Sequence, residues 1–268
     1  MLVGHSETAI YAINQEIPKS IPVIADIRNL SRMREIFLEH SPEVVFHAAA
    51  MKHVPLAEQF PMEAVQTNII GTRNVAIASQ MVGAQMIFIS TDKAVYPSSV
   101  MGKTKRIAEL YCATHDHIKT VRFGNVIGSS GSVYPLFQKQ IEAGGPVTVT
   151  HPDMVRYFMT VWDAARLALY AASEGFPHTL YVPAMTKRRI LDIAKELIGS
   201  KGITIAITGL RPGEKLDESL FYESEVQTVT TNVCHLSHAQ KRDATILNQT
   251  VSRLEGGDLS ILESFVYA

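Results

Sequence analysis

Four short runs rich in β-branched and aromatic residues, IPVIA at 21–25, EVVFH at 43–47, QMIFIS at 85–90 and IKTVRF at 118–123, are separated by stretches long enough for helices. Runs of this length read as strands, and a strand that pairs in parallel with its predecessor needs a crossover of about a dozen residues, usually helical. With a further strand at 1–3 and helices expected at about 30–40, 57–82 and 99–115, the chain demands βαβ units. The runs are apolar on consecutive residues, as suits strands covered on both faces. The expected fold class is α/β, with a Rossmann-like parallel sheet.

After Arg122 the texture changes. Gly, Ser and Pro become frequent through FGNVIGSSGSVYP and EAGGPVTVTHP; helices are expected near Val161-Trp162-Asp163, near Ile190 and at about 258–265. Residues 1–124 read as a nucleotide-binding core. Residues 125–268 read as a smaller substrate-binding lobe, with elements interleaved with the core. A net charge of −1 argues against a broad basic surface for nucleic acid, so small molecules or other proteins are the expected partners. Cys112 and Cys234 are the only cysteines and form no C-x-x-C, which fits a reducing cytoplasm. No run approaches the roughly 18 apolar residues that span a bilayer, and MLVGHSE has no signal-peptide pattern.

Ala48, Ala49 and Ala50 follow the strand EVVFH. Small residues at a carboxyl strand end let backbone approach a ligand, where an open α/β sheet has its crevice; they equally let a helix pack closely. Asp26, or the amide of Ile27 beside it, could meet an adenine edge, or Asp26 could open the helix at Asn29. Asn68 interrupts a helical pattern, where asparagine is mildly disfavoured, and a buried hydrogen-bonding role is open to it. Ser90-Thr91-Asp92-Lys93 ends QMIFIS and gathers a hydroxyl, a carboxyl and an amine, which burial and neighbours can tune as acid and base. Its alternative is a solvated turn.

Lys105 raises a separate question. A tyrosine four residues before a lysine shares its helix face, and the cation lowers the phenol pKa; here that position is Met101, which cannot exchange a proton. Arg156 and Arg211 suit a diphosphate, and Glu214 could accept from ribose hydroxyls, although each alone reads equally as a surface ion-pair member. CATHDH (Cys112, His115, His117) matches no standard metal spacing and reads as a helix end with solvent-facing histidines, so no metal is expected. Trp162 and the methionines are assigned to packing.

Taken in order, FHAAAMKHVPLAE, TNIIGTRNV, FISTDKAVYPSSVMGKTKR, VRFGNVIGSSGSVYPLFQKQI, GGPVTVTHPDMVRYFMT and LRPGEKLDESLF resemble the CapD/FlaA-like polysaccharide biosynthesis proteins over residues 1–222. These are nucleotide-sugar 4,6-dehydratases of the extended short-chain dehydrogenase/reductase superfamily. The resemblance implies NAD or NADP bound to the Rossmann-type domain and a UDP-N-acetylhexosamine, commonly UDP-GlcNAc, in the cleft. It implies oxidation at C4, loss of water across C5–C6 and return of hydride to C6. It implies Lys93 as the base at C5, Asp92 as the acid at the C6 hydroxyl, Thr91 near the C4 oxygen and Lys105 on the nicotinamide ribose. Asp26, Ile27, Ala48, Ala49, Ala50 and Asn68 would line the cofactor; Lys52, His53, Asn125, Arg156, Arg211 and Glu214 would surround the UDP-sugar. Met101 resembles the long, membrane-anchored subgroup, in which methionine commonly replaces the tyrosine.

One departure stands out. Such dinucleotide folds begin with a strand, then G-x-G-x-x-G at a helix start, whose N–H groups cradle the pyrophosphate. Here MLVGHSETAIYAIN resembles the second strand and the loop after it, so the first strand, glycine loop and first helix of the fold are expected to be absent. Strand one lies between strands two and four in that order. Those two strands are therefore expected to rearrange, to pair with each other, or to accept a strand from another chain, and a homo-oligomer is expected. Gly4 stands where relatives often carry an acidic residue, leaving NAD against NADP open. The alternative to a working dehydratase is a truncated, impaired enzyme that binds a sugar nucleotide without holding a dinucleotide.

Overall fold

The computed structural model describes residues 1–129, 131–173, 179–225, 227–230, 234–238 and 243–264. The first half runs β1 (Leu2–Gly4), α1 (Glu7–Glu16), β2 (Pro22–Ile24), α2 (Leu30–His40), β3 (Val44–His47), α3 (Val54–Gln59), α4 (Pro61–Val65), a π-helical turn (Gln66–Ile70) and α5 (Gly71–Met81). It continues with β4 (Gln85–Thr91), a 3-10 turn (Asp92–Ala94), α6 (Val100–Cys112) and β5 (Ile118–Phe123). The second half adds β6 (Asn125–Val126), α7 (Val133–Glu142), β7 (Val147–Val149), β8 (Val155–Met159), α8 (Val161–Ser173), β9 (Thr179–Pro183), β10 (Thr186–Arg189) and α9 (Ile190–Ile198). The last elements are β11 (Ile205–Ile207), β12 (Gln227–Thr230), β13 (Cys234–His238), α10 (Ala244–Glu255) and α11 (Ile261–Ser264).

The apolar runs all become strands where expected. Three helices escape the sequence pattern: α1, capped by Ser6, whose hydroxyl accepts from Ala9 N at 3.3 Å, α7, whose N-cap Ser132 makes no side-chain capping bond, and α10, capped by Asp243, whose carboxylate accepts from Thr245 N at 2.7 Å. The helix expected at 57–82 arrives in pieces. Phe60 leaves helical geometry (φ −127°, ψ 65°), Pro61 opens α4, and the chain widens into the π turn before α5. At the carboxyl end, helix occupies 261–264 rather than all of 258–264, and residue 265 lies outside the described residues.

The main sheet has the order β12-β13-β9-β5-β4-β3, with β3, β4, β5 and β9 parallel and β13 and β12 antiparallel. β1 and β2 form a separate two-stranded parallel sheet. Of the arrangements expected for β1 and β3, direct pairing does not occur: each is an edge strand among the described residues. On β3 the alternation is visible as exposure, since His47 is buried while Phe46 on the opposite face is 47% exposed.

One face of the main sheet is covered by α2, α5 and α6, with Phe37, Val75, Met86, Phe88 and Ile107 in one apolar cluster that Val251 and Leu254 of α10 extend. Val3 and Val23 pack against the same cluster, so the two-stranded sheet shares this core. Full burial of each such side chain stabilises the fold by about 1.5–3 kcal/mol. The opposite face is covered by α8, where Leu167 and Ala171 meet Ile87, Val121 and Tyr181. Trp162, expected in packing, is instead 80% exposed at the start of α8, because the buried stripe of that helix runs through Ala164, Leu167 and Ala171. A second core joins α7 and α9 to β7 and β8 through Phe137, Val149, Phe158 and Ile193.

The segment after β11 returns to the main sheet through a buried charge cluster. Arg122 on β5 is fully buried; its Nε and Nη2 donate to the two oxygens of Glu109 at 3.0 and 2.8 Å. Its Nη1 and Nη2 donate to Glu225 at 2.8 and 3.0 Å, and Nη1 also donates to Leu220 O at 2.6 Å. Burial works against the Arg122 cation, but Glu109 and Glu225 outweigh it and hold its pKa above the usual range. The Arg106 guanidinium lies 4.1 Å above the Tyr222 ring, and the Tyr222 hydroxyl donates to Ala94 O at 2.9 Å. The returning segment thus holds the 3-10 turn that follows β4.

Candidate active site

β4 and β5 end side by side, and the turn after β4 faces the loop after β5. Thr91 is the last residue of β4 and caps the 3-10 turn, its hydroxyl accepting from Lys93 N at 3.4 Å. The same hydroxyl donates to Asp92 Oδ1 at 3.0 Å, and Lys93 Nζ donates to that oxygen at 2.9 Å and to Asn125 Oδ1 at 3.1 Å. Asp92 is fully buried, and its Oδ2 has no hydrogen-bond partner among the described residues. A second carboxylate approaches from the returning segment: Glu218 Oε1 lies 4.0 Å from Lys93 Nζ. Gly102 lets α6 pass against this turn, because a Cβ there would collide with the Lys93 carbonyl oxygen.

These groups border a cavity of about 480 Å³ between the strand ends and the second core. Its lining includes Thr91, Lys93 and Lys105, Ala48, Ala50, Lys52 and His53 after β3, and Asn125, Arg156, Arg211 and Glu214 from the second half. Eleven of the sixteen residues singled out from the sequence therefore meet in one space. Asp92 sits behind Thr91 and Lys93 rather than in the wall, and Ala49 is likewise outside it.

Lys105 is 5% exposed on α6. Its Nζ donates to Ile89 O at 2.6 Å and lies 4.1 Å from the centre of the Phe88 ring. Burial lowers its pKa to about 8. His47 stacks on the same Phe88 ring, and its Nε2 is 2.9 Å from Thr72 Oγ1. Burial and the nearby Lys105 charge push its pKa down to about 3, so it is neutral. Met101, one turn before Lys105, is buried with Ala57 and Ala64 and also borders the cavity.

Asn68 is fully buried in the π turn and does not line the cavity. Its Oδ1 accepts from Met51 N at 2.8 Å, and its Nδ2 donates to Met51 O at 3.0 Å and Thr104 Oγ1 at 3.0 Å. It clamps the loop after β3 to α6, so the Ala48–Met51 wall depends on it. Asp26 and Ile27 follow β2 and do not line the cavity. The Asp26 carboxylate accepts from Arg28 N at 2.9 Å and Arg28 Nε at 2.8 Å, and this arginine holds its pKa below the usual range. The Ile27 side chain packs against Gly71, and its carbonyl accepts from Asn74 Nδ2 at 3.0 Å.

Arg156 spends its guanidinium on the returning segment, donating to Lys215 O at 2.8 Å and Leu216 O at 3.2 Å. Arg211 pairs with Glu214, with Nε and Nη2 at 2.9 and 2.6 Å from Oε1. Sequence reasoning missed Lys215 and Glu218. Both stand in LRPGEKLDESLF, and the signal was the alternation of charge within a motif already singled out. In CATHDH, Cys112 is buried and burial pushes its thiol pKa up. The histidines are half-buried rather than solvent-facing: His115 Nδ1 lies 3.0 Å from Tyr111 O of its own helix end, and His117 Nε2 lies 3.2 Å from Ala76 O of α5, so both rings turn inward. Among the described residues no His, Cys, Asp or Glu group is arranged to hold a metal, and no helix is long and apolar enough to cross a membrane.

A family model described as "Polysaccharide biosynthesis protein" matches residues 1–239. The "Capsular polysaccharide biosynthesis protein CapD" of Staphylococcus aureus is 50% identical over 246 residues, covering 84% of this chain and 41% of that protein. The "Probable polysaccharide biosynthesis protein EpsC" of Bacillus subtilis is 46% identical over 245 residues, with 84% and 41% covered. The chain thus spans about two fifths of the length of these curated relatives. Among solved structures, Pen from Bacillus thuringiensis superposes with a TM-score of 0.80 at 31% identity, covering 89% of this chain and 80% of that one. The DesIV dTDP-glucose 4,6-dehydratase from Streptomyces venezuelae, solved with NAD bound, superposes with a TM-score of 0.69 at 18% identity, covering 77% and 73%. That likeness shows the Rossmann-like α/β fold.

Proposed function

The chain belongs to the polysaccharide biosynthesis protein family, and on that premise we propose that its cavity carries the 4,6-dehydration of a UDP-N-acetylhexosamine such as UDP-GlcNAc, beside NAD or NADP. The observation that carries this reading is the Thr91–Asp92–Lys93 cluster. A hydroxyl in the cavity wall is hydrogen-bonded to a buried carboxylate, which is hydrogen-bonded to an amine in the same wall. Oxidation at C4 alone requires one proton acceptor; elimination across C5–C6 requires a second acceptor and a donor. The cluster supplies all three without a tyrosine.

In this reading the nicotinamide end of a dinucleotide would lie against Lys105 in the cavity. Lys105 Nζ hydrogen-bonds only Ile89 O among the described residues, so two of its three hydrogens are left for ribose hydroxyls, and Ala48 and Ala50 leave room beside it. When bound, a dinucleotide there would supply the hydride acceptor for C4 and the hydride donor for C6. The C4 hydroxyl proton passes to Thr91 Oγ1 as the Thr91 proton passes to Asp92 Oδ1. Lys93 Nζ takes the C5 proton, made acidic by the neighbouring ketone. Asp92 returns its proton through Thr91 to the departing C6 hydroxyl, which leaves as water, and Lys93 returns its proton to C5. Atoms balance: the sugar loses one water, and every protein group ends as it began. Positioned proton transfers of this kind contribute about 10²–10⁴-fold each.

The experiment is an NMR assay of UDP-GlcNAc with the protein and added NAD or NADP. A 4-keto-6-deoxy product is expected. A 4-epimer as the only product overturns the dehydratase reading, and tight copurification of a dinucleotide excludes the alternative of an enzyme that cannot hold one.

A further inference from the structure

Glu218 has no assigned part in the chemistry, yet it borders the cavity at 5% exposure. Its Oε1 is 4.0 Å from Lys93 Nζ. Its Oε2 lies 3.2 Å from Lys215 Nζ but is not aligned for a hydrogen bond and has no donor among the described residues. Lys215 directs its own hydrogen bond elsewhere, to Val95 O at 2.7 Å. A buried carboxylate oxygen without a hydrogen bond is costly, and such a group persists where charge or a ligand answers it. Two cations answer Glu218: Lys215 at 3.2 Å from Oε2 and, from the turn after β4, Lys93 at 4.0 Å from Oε1.

We infer that Glu218 is a positioning residue of the acid–base centre: from the returning segment it fixes Lys93 Nζ and stabilises the ammonium formed when Lys93 takes a proton. Lys93 then stands between two carboxylates of unlike placement, Asp92 enclosed behind it and Glu218 in the cavity wall. A negative neighbour favours the protonated form of an amine. The other charged groups bordering the cavity are Lys105 from α6, Lys52 and His53 from the loop before and the start of α3, Arg156 from β8, and Arg211, Glu214 and Lys215 from the returning segment. Within that set Glu218 is the carboxylate that approaches Lys93 to 4.0 Å. The consequence for catalysis rests on the dehydratase reading; the charge coupling does not.

Two measurements on the full chain separate them. The first is competitive acetylation of Lys93 across pH, read by mass spectrometry, which follows the free amine and needs neither substrate nor cofactor. A unit charge at about 4 Å is worth between about 1 kcal/mol in water and about 4 kcal/mol at the effective dielectric near a protein surface, so removing it moves the labelling midpoint by about 1–3 pH units. In Glu218→Gln the midpoint is expected to fall by that amount. In Glu218→Asp, which keeps the charge, it is expected to stay near the parent value, and this variant serves if the glutamine form misfolds. A midpoint unmoved in Glu218→Gln, or moved equally in both variants, overturns the inference.

The second measurement is deuterium exchange at C5 of the 4-keto-6-deoxy sugar nucleotide in D2O. In Glu218→Gln the acid limb is expected to move to lower pH while the high-pH plateau falls several-fold, since the weaker base is free earlier. A fallen plateau with an unmoved limb marks a merely structural role and overturns the inference. If the labelling midpoint moves while the parent protein exchanges no C5 proton, Glu218 stands and the dehydratase reading fails.

Discussion

Replacing Arg122 with methionine keeps the volume of the side chain and removes its charge. In the folded protein two guanidinium groups, Arg106 and Arg122, face two carboxylates, Glu109 and Glu225. Arg122 reaches each carboxylate at 2.8 Å, whereas Arg106 stands 3.3 and 3.6 Å from them. The substitution leaves one buried negative charge in excess and the Leu220 carbonyl without its donor. Breaking a buried pair in this way costs about 3–5 kcal/mol. The loss depends on pH with a definite sign. For Glu109, burial works to raise the pKa, but the Arg122 charge and hydrogen bond, with Arg106, prevail, and the net shift is downward. A carboxyl with a depressed folded pKa contributes stability above its unfolded value of about 4.3, and that contribution is lost as pH falls. In Arg122→Met the desolvation prevails, the shift reverses, and the penalty is relieved as pH falls. Urea unfolding followed by circular dichroism is therefore expected to show a deficit of about 3–5 kcal/mol at pH 7.5 that narrows by about 1–3 kcal/mol at pH 5. Adding Glu109→Leu, which leaves Arg106 facing Glu225 alone, is expected to restore at least half of the deficit at pH 7.5. A deficit below about 1 kcal/mol, or one equal at both pH values, refutes the reasoning.

Thr91→Val removes the hydroxyl that joins the cavity to Asp92 while keeping shape, and is expected to cut 4-keto product formation by about 10²–10⁴-fold with unfolding unchanged within about 1 kcal/mol; retained turnover would show that protons reach Asp92 another way. Because the Lys105 pKa is lowered to about 8, the unfolded chain binds more protons between pH 8 and about 10.4, so stability rises across that window. Chemical denaturation is expected to show the rise in the parent and not in Lys105→Met, and equal slopes in the two would speak against a buried, desolvated lysine. Asn68→Ala removes three hydrogen bonds from a buried position and is expected to cost about 2–4 kcal/mol. Limited proteolysis should then cut within 48–53 sooner, and unchanged cleavage there would show that the loop holds without its clamp.

The strands were legible because each is a short apolar run bounded by polar or small residues, a pattern that burial on both faces imposes. α1, α7 and α10 were less so: α1 and α10 were signalled by a single capping side chain, Ser6 or Asp243, and α7 follows Ser132, whose side chain makes no capping bond. The long helix read over 57–82 came apart at Phe60-Pro61, which the proline could have announced, and at 66–70, which nothing in the local residue types announces. In the site, Thr91, Lys93 and Lys105 were readable because strand ends and helix faces place them by short-range geometry. Asp92 was readable as chemistry but not as a residue behind the wall, because alternation along a tight turn fixes no direction. Asn68 carried a correct hint of burial, yet its partners Met51 and Thr104 come from other elements and leave no trace in its own neighbourhood. Glu218 was hidden for the same reason: what gives it meaning is Lys93, 125 positions earlier in the chain.

The π turn at Gln66–Ile70 accommodates extra chain within one turn relative to an α-helix, where each residue turns the chain by about 100°. Deleting one residue there restores ordinary winding while the helix on either side keeps its phase, because the wide turn is what absorbs the extra residue. Asn68 would lose its aim at Met51, and the loop after β3 would lose its tie to α6. The shape of the cavity thus rests on a residue for which a regular helix has no room: shortening 66–70 by one removes the clamp and leaves the helix around it in place.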